Sequence, residues 1–295
     1  MFYLILAIVC SALISLIMRV SEKYVSGNVS MLVMNYCTCL LIASGYTIGN
    51  HLGTVQMGVA GMQAIGNCLF PATEGIGLTL ALGVLNGCIY LGGFVLLQWN
   101  IKKNGVVLSS TFMKLGLLVP MILSVCFFHE VPQVLEIAGF LVAILAILVI
   151  NLEKEQSNAG FKLGLVFLLL VGGSADAMSK VFEELGKAKL AEQFLLYTFG
   201  SALLFCIVLM LYKKQHFGRN EILFGCLIGI PNYFTSRFLL SALKEVPAVI
   251  AYPTYSVGTI IVVSMAGICF FKERLGKKQW IGVGMILLAL VLLNV

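Results

Sequence analysis

The sequence predicts an all-α integral membrane protein whose ten transmembrane helices form two inverted five-helix repeats. Three observations lead there: a composition too apolar for a soluble domain, apolar runs of membrane-crossing length, and a block of sequence that returns later in the chain. Sixty per cent of the residues are hydrophobic and 11% are charged, against roughly 25% charged in soluble domains. Mean hydropathy is +1.02. Apolar runs fall at 2–18, 30–49, 76–98, 106–128, 134–150, 162–182, 193–212, 221–243, 248–271 and 279–295, each close to the ~20 residues that cross hydrocarbon as a helix. Backbone groups in lipid must be satisfied within their own segment, and the weak period-two alternation argues against a membrane barrel.

Cys126-Phe127-Phe128-His129-Glu130 returns 143 positions later as Cys269-Phe270-Phe271-Lys272-Glu273. The match continues through Gly139 and Gly282, Leu145 and Leu288, Ala146 and Ala289, and Asn151 and Asn294. Run backwards, the same offset pairs Thr111 with Thr254, Leu96-Leu97 with Leu239-Leu240, and Tyr90 with Tyr233. A weaker register, offset by 161, pairs Arg19 with Lys180, Val20 with Val181, Glu22 with Glu183 and Tyr36 with Tyr197. Internal repetition on this scale fixes an architecture.

The first apolar run has no basic residue before it and no small-residue cleavage site after it, and is expected to be a retained helix. Residues 50–75 join the second and third spans; they carry Gly53, Gly58, Gly61, Gly66, Pro71 and Gly75 but no Lys or Arg, and read as an outside loop or a re-entrant segment. The polar stretch 151–160 is the linker between a first repeat, 1–150, and a second, 161–295. Five is odd, so the second repeat must cross in the opposite sense, the inverted plan of secondary transporters with a substrate site near mid-membrane. Loop charge agrees. Loops after the odd-numbered spans carry 13 Lys and Arg, and the alternate loops carry three, Lys187, Lys189 and Lys244, which predicts odd loops in the cytoplasm and both termini outside.

Nine scattered cysteines with no C-x-x-C, and no histidine cluster, give neither a disulfide framework nor a zinc site. No cofactor is expected. The net charge of +6 lies in loops that orient the chain in its bilayer and does not point to nucleic acid.

Polar residues inside the spans are the candidates for a site. Lys114 lies about eight residues into the fourth run, roughly 12 Å deep, after Ser109, Ser110 and Thr111. That setting suits an anionic or carboxylate group. Asp176, the only aspartate, could couple a proton or substrate, or could pair with Lys180 one turn on, or with Lys114. Arg237 either serves the site or reaches the interface. In the ninth span, Pro253 frees a carbonyl one turn earlier, and Tyr252 and Tyr255 are the repeat partners of Ser109 and Phe112. Tyr90 and Tyr233, with Asn86 and Asn232, are further cavity candidates by the same symmetry. Glu130 and Glu273 sit at helix starts, where carboxylates cap free amides.

Ten helices in two repeats, each closing with F-F-x-E, eight residues, then Gly and an apolar helix, resemble the EamA-type members of the drug/metabolite transporter superfamily. The most specific elements are Phe128-x-Glu130…Gly139 and Phe271-x-Glu273-Arg274-Leu275…Gln279-Trp280-Ile281-Gly282. The resemblance implies export or exchange of small metabolites, amino acids or drug-like amines. The surroundings of Lys114 are also similar to the fourth helix of nucleotide-sugar transporters, where a lysine contacts a phosphate, and this keeps an anion antiporter as the alternative. No G-x-x-x-x-G-K-[ST] is present for ATP, so transport is expected to be gradient-driven or by exchange. The non-transporter alternative, an intramembrane enzyme of the prenyltransferase kind, needs paired aspartates, which a chain with one aspartate does not supply. The expected setting is the cell membrane, as a monomer or homodimer.

Overall fold

The computed structural model describes residues 1–52, 74–116, 118–119, 134–151, 163–243, 245, 248–272 and 276–292, and among these described residues ten α-helices are seen. They are α1 (Phe2–Ser21), α2 (Asn28–Leu52), α3 (Ile76–Asn104), α4 (Val106–Leu115), α5 (Val134–Asn151), α6 (Leu163–Leu185), α7 (Ala191–Tyr212), α8 (Arg219–Leu243), α9 (Ala248–Phe271) and α10 (Lys277–Leu292). Among the described residues six helices are long and apolar enough to cross a membrane, and Val106–Leu115, Leu163–Met178 and Trp280–Ala289 are shorter apolar helices. All-helical, multi-pass character is thus what composition leads to. The loop read over 50–75, apart from its ends, lies outside the described residues, as do the linker beyond Asn151, His129, Glu130, Glu273 and Arg274.

Helix starts follow the sequence offsets. Ile76 and Arg219 are 143 apart, as are Val134 and Lys277, and Val106 and Ala248 are 142 apart. Phe2 and Leu163 are 161 apart. Between α3 and α4 the chain turns on Gly105 alone, at φ 83°, a left-handed conformation open to glycine without strain. Hydroxyls inside the helices turn back on their own backbone: Thr38 donates to the Met34 carbonyl, Thr47 to Ala43 and Thr259 to Tyr255. In lipid such local bonding satisfies a polar group that no water can reach.

Two compact units cut across the sequence halves, each drawing on both sides of the linker. The unit built from Val25–Gly92 and Met178–Tyr233 is held by α2 packed along α7 and by close glycine contacts. Gly83 and Gly87 of α3 rest on α7, where an added Cβ would lie 2.7 Å from the Tyr197 Cβ and 2.6 Å from the Thr198 carbonyl oxygen. Gly225 and Gly229 of α8 rest on α2 in the same way, 2.5 Å from the Met31 carbonyl oxygen and 2.7 Å from that of Asn35. Small residues at i and i+4 let backbones approach, the packing that substitutes for a hydrophobic driving force between helices in lipid. Polar side chains meet at these crossings. Asn232 Nδ2 donates to Asn35 Oδ1 (3.2 Å), Cys39 Sγ to the Gly229 carbonyl (3.3 Å) and Asn86 Nδ2 to Thr198 Oγ1 (3.4 Å).

The start of α2 is capped from far away in sequence. Glu221 Oε1 accepts from the amides of Ser26 and Gly27 and from the Ser26 hydroxyl, each at 3.1 Å, and Gln215 Oε1 accepts from the amides of Val29 (2.9 Å) and Ser30 (3.3 Å). These are amides a helix cannot satisfy itself. Glu221→Ala should therefore destabilise this unit by roughly 2 kcal/mol, within the range for hydrogen bonds to a charged group, and is checked as a lower melting temperature of the purified protein.

The second unit, Met1–Tyr24, Gly93–Ala177 and Phe234–Val295, packs α1 on α9, α4 on α9 and α5 along α10. Leu4, Ala7, Ala242 and Tyr255 form a buried cluster with Ile8, Phe238 and Leu239 against it. Gly258 lets α9 approach Ile8 of α1, with 2.6 Å from its would-be Cβ to the Ile8 Cδ1. At the end of α3, Asn100 Nδ2 donates to the Gly164 carbonyl of α6 at 2.9 Å.

Candidate substrate site

The apolar run at 106–128 suggests one continuous helix, but α4 ends at Leu115, with Gly116 in a turn before residues 118–119 are helical again. Lys114 thus stands in the last turn of α4, where the carbonyl end of the helix favours a cation. Its ammonium lies over the Tyr255 ring of α9, 3.7 Å from the centroid. Such a contact is worth about 0.5–1 kcal/mol when exposed and ~2 when desolvated. Tyr255 is 7% exposed, and the Ser11 hydroxyl of α1 approaches its own hydroxyl.

Asp176 comes to the same place through glycine. Gly116 and Gly173 touch backbone to backbone, so a Cβ on Gly116 would lie 2.6 Å from the Gly173 nitrogen and 2.8 Å from the Leu169 carbonyl oxygen. Gly172 packs on Met113, and Asp176, four residues on, shares that face of α6. The carboxylate acts electrostatically on Lys114 and on Tyr255. Among the described residues no ion pair within 4.0 Å joins Lys114 to Asp176, so the two opposite charges act on each other without closing into a salt bridge.

Three hydroxyls precede Lys114, and they differ. Ser109 donates to the Gly105 carbonyl and Thr111 to that of Val107, at 2.7 and 2.8 Å. Ser110 is 2% exposed and its Oγ has no partner among the described residues; four residues before Lys114, it lies on the same helix face.

The structure thus gathers Lys114, Ser110, Tyr255 and Asp176 in one unit, with Arg237 half-buried on α8 in that same unit. Tyr252 is on α9 and Lys180 on α6, but their side chains lie outside the described residues. Tyr90 and Tyr233 belong to the other unit, as part of an aromatic core: Tyr90 meets Phe199 edge-on (5.8 Å), Phe199 meets Tyr233 (6.2 Å) and Tyr233 stacks on Tyr46 (5.8 Å). Ser11, Gly116, Gly172 and Gly173 were not among the sequence candidates; for Gly172 and Gly173 the run of small residues around Asp176 was the signal. Among the described residues, no group of His, Cys, Asp and Glu is placed to hold a metal.

Residues 160–295 match the EamA-like transporter family. That match covers the second half of the chain alone. The matched residues include Asp176, Arg237 and Tyr255, while Lys114 comes from the preceding half. An uncharacterized protein of Haemophilus influenzae is 23% identical over 286 residues, 95% of this chain and 93% of its own. Two relatives are each named "Probable 4-amino-4-deoxy-L-arabinose-phosphoundecaprenol flippase subunit ArnE". The one from Proteus mirabilis is 38% identical over 61 residues, 21% of this chain and 53% of its own length; that from Photorhabdus laumondii is 40% identical over 57 residues, 19% and 50%. A crystal structure at 12% identity shares the fold, with a TM-score of 0.59 over 99% of this chain and 94% of its own.

Proposed function

We propose that this protein is a secondary transporter of the EamA type that exports small amino-acid- or drug-like solutes across the cell membrane, driven by a gradient or by exchange. One observation carries the reading: an ammonium, Lys114, and a carboxylate, Asp176, sit in one unit of membrane helices without closing on each other. A solute bearing both a carboxylate and an amine meets both charges, and an unpaired hydroxyl, Ser110, stands one turn away. Ionisable groups inside a membrane are expensive and serve pathways or coupling, so Asp176 is also the group proposed to exchange a proton against the solute. In the same reading the chain forms ten spans as two inverted repeats, 1–150 and 161–295, works as a monomer or homodimer, and keeps its odd loops in the cytoplasm.

A second reading, an antiporter for an anionic metabolite or a nucleotide sugar, is favoured by the two cations Lys114 and Arg237 in one unit. The relatives named as flippase subunits for an amino-sugar phosphate lipid give it further support. A thermal-shift screen of the purified protein separates the two, because a ligand at 100 times its dissociation constant stabilises the fold by about 2.7 kcal/mol. Amino acids and other solutes that pair a carboxylate with an amine should raise the melting temperature, and counterflow into liposomes should follow the same ranking. Stabilisation by phosphorylated or sugar-linked solutes alone would overturn the exporter in favour of the antiporter.

The orientation has its own check. In a cysteine-free background, Lys103→Cys and Lys278→Cys should be shielded from an impermeant thiol reagent in intact cells, and a cysteine within 50–75 should be labelled. The reverse pattern would place the odd loops outside, against the 13-to-3 bias of Lys and Arg.

A further inference from the structure

Lys114 holds its ammonium 3.7 Å from the centre of the Tyr255 ring, and the ring is otherwise walled in by Leu4, Ala7 and Ala242. An aromatic face in a desolvated wall, with a carboxylate acting on it, is the chemistry of a seat for an organic ammonium ion. That seat is already taken. We propose that Lys114 is a resident surrogate cation: the Tyr255 face is the substrate's ammonium seat, and the protein's own lysine occupies it until a solute displaces it. The inference deepens the exporter reading and rests on that reading of the site.

The displacement follows from where the charges lie. Lys114 is on α4, Tyr255 on α9 and Asp176 on α6; α4 meets α6 at Gly116, Gly172 and Gly173 and packs separately on α9. A lysine ammonium on a four-carbon stem can swing, whereas a buried tyrosine ring cannot. A solute carboxylate offers Lys114 a charged hydrogen-bond partner, which a ring face is not, and draws the ammonium off the ring. The solute's own ammonium then takes the vacated face, within the field of Asp176. Ser110, with no partner for its Oγ, stands on the face of α4 that Lys114 shares and is placed to bond the arriving carboxylate. Solutes carrying a cation alone cannot dislodge Lys114, because nothing draws its charge away and two cations repel at close range. The site therefore selects zwitterions by requiring the anion to unlock the cation seat.

The test uses the full chain in detergent with tetramethylammonium as the probe, since it is a cation with no acid group. Wild type should show no binding in a melting or calorimetric titration, while Lys114→Met should bind it at least tenfold more tightly. Lys114→Arg, which keeps a cation able to stack on the ring, should not gain. The gain should persist in Lys114→Met/Tyr255→Phe, which keeps the aromatic face, and vanish in Lys114→Met/Tyr255→Leu. If Lys114→Met does not purify as a monodisperse protein, Lys114→Met/Asp176→Asn, which removes both charges together, carries the same comparison. Failure of every lysine-free variant to gain tetramethylammonium, or a gain that survives Tyr255→Leu, overturns the proposal. The exporter reading fails separately, on counterflow: wild-type liposomes that exchange no amino-acid-like solute sink it whatever the titrations show.

Discussion

Lys114→Ala should abolish counterflow in proteoliposomes while the protein still inserts and elutes as a single species. The size of the effect follows from what the ammonium does. A hydrogen bond to a charged group is worth roughly 1.5–3 kcal/mol, so losing it on a bound carboxylate lowers transport efficiency by about ten- to a hundredfold, before counting the loss of charge balance. Removing one member of an attracting pair leaves Asp176 uncompensated in a desolvated place, and that second loss brings the residual rate to background. Folding suffers less. The Tyr255 contact goes, but so does a desolvated ammonium, and the helix crossing at Gly116 and Gly173 does not involve the lysine side chain. Lys114→Arg should recover part of the rate, because the guanidinium keeps the charge and can lie on the ring. Normal counterflow by Lys114→Ala would remove this residue from the site.

The helices were legible because two signals coincide: apolar length and a repeat whose offsets, 143 and 161, land on the helix starts. Symmetry also pointed to Tyr255, as the counterpart of Phe112, and Phe112 is itself fully buried on α4. The electrostatic partner of Asp176 was less legible. Along one helix the nearest candidate is Lys180, four residues on, and helical periodicity has nothing to say about Lys114, which is 62 residues away. Their meeting is a tertiary fact. It depends on three glycines from two helices touching with no side chain between them, and a glycine in an apolar run reads equally as filler, hinge or contact. The end of α4 at Gly116 had a weak local sign, a glycine four residues before Pro120, which the length of the apolar run concealed. Tyr90 and Tyr233 have a different setting. Aromatic residues at symmetric positions look like a cavity lining, and in the structure they pack on Phe199 and Tyr46 in the other unit.

Gly173→Ala should damage both fold and transport more than any other single methyl group added to the site. A Cβ at this position would overlap the Gly116 carbonyl oxygen and stand 2.6 Å from the Val119 Cγ2. The backbone oxygen cannot rotate away as a side chain would, so α6 and α4 must separate. Against this, alanine gains up to ~1 kcal/mol over glycine in a helix interior, while overpacking costs typically about 1–3 kcal/mol and occasionally more. With backbone on one side of the clash the upper part of that range applies, and the net loss should be about 2 kcal/mol. Transport should fall further than stability accounts for. Asp176 is three residues beyond Gly173, so moving α6 off α4 carries the carboxylate away from Lys114 and weakens its pull on any solute amine between them. The comparison is internal to the chain. Gly284→Ala on α10 and Gly45→Ala on α2 meet nothing within 4 Å, so both should melt at or above the wild-type temperature and transport normally. Gly173→Ala melting like those two, with counterflow intact, would show that the approach of α4 and α6 is not what brings the two charges to one solute.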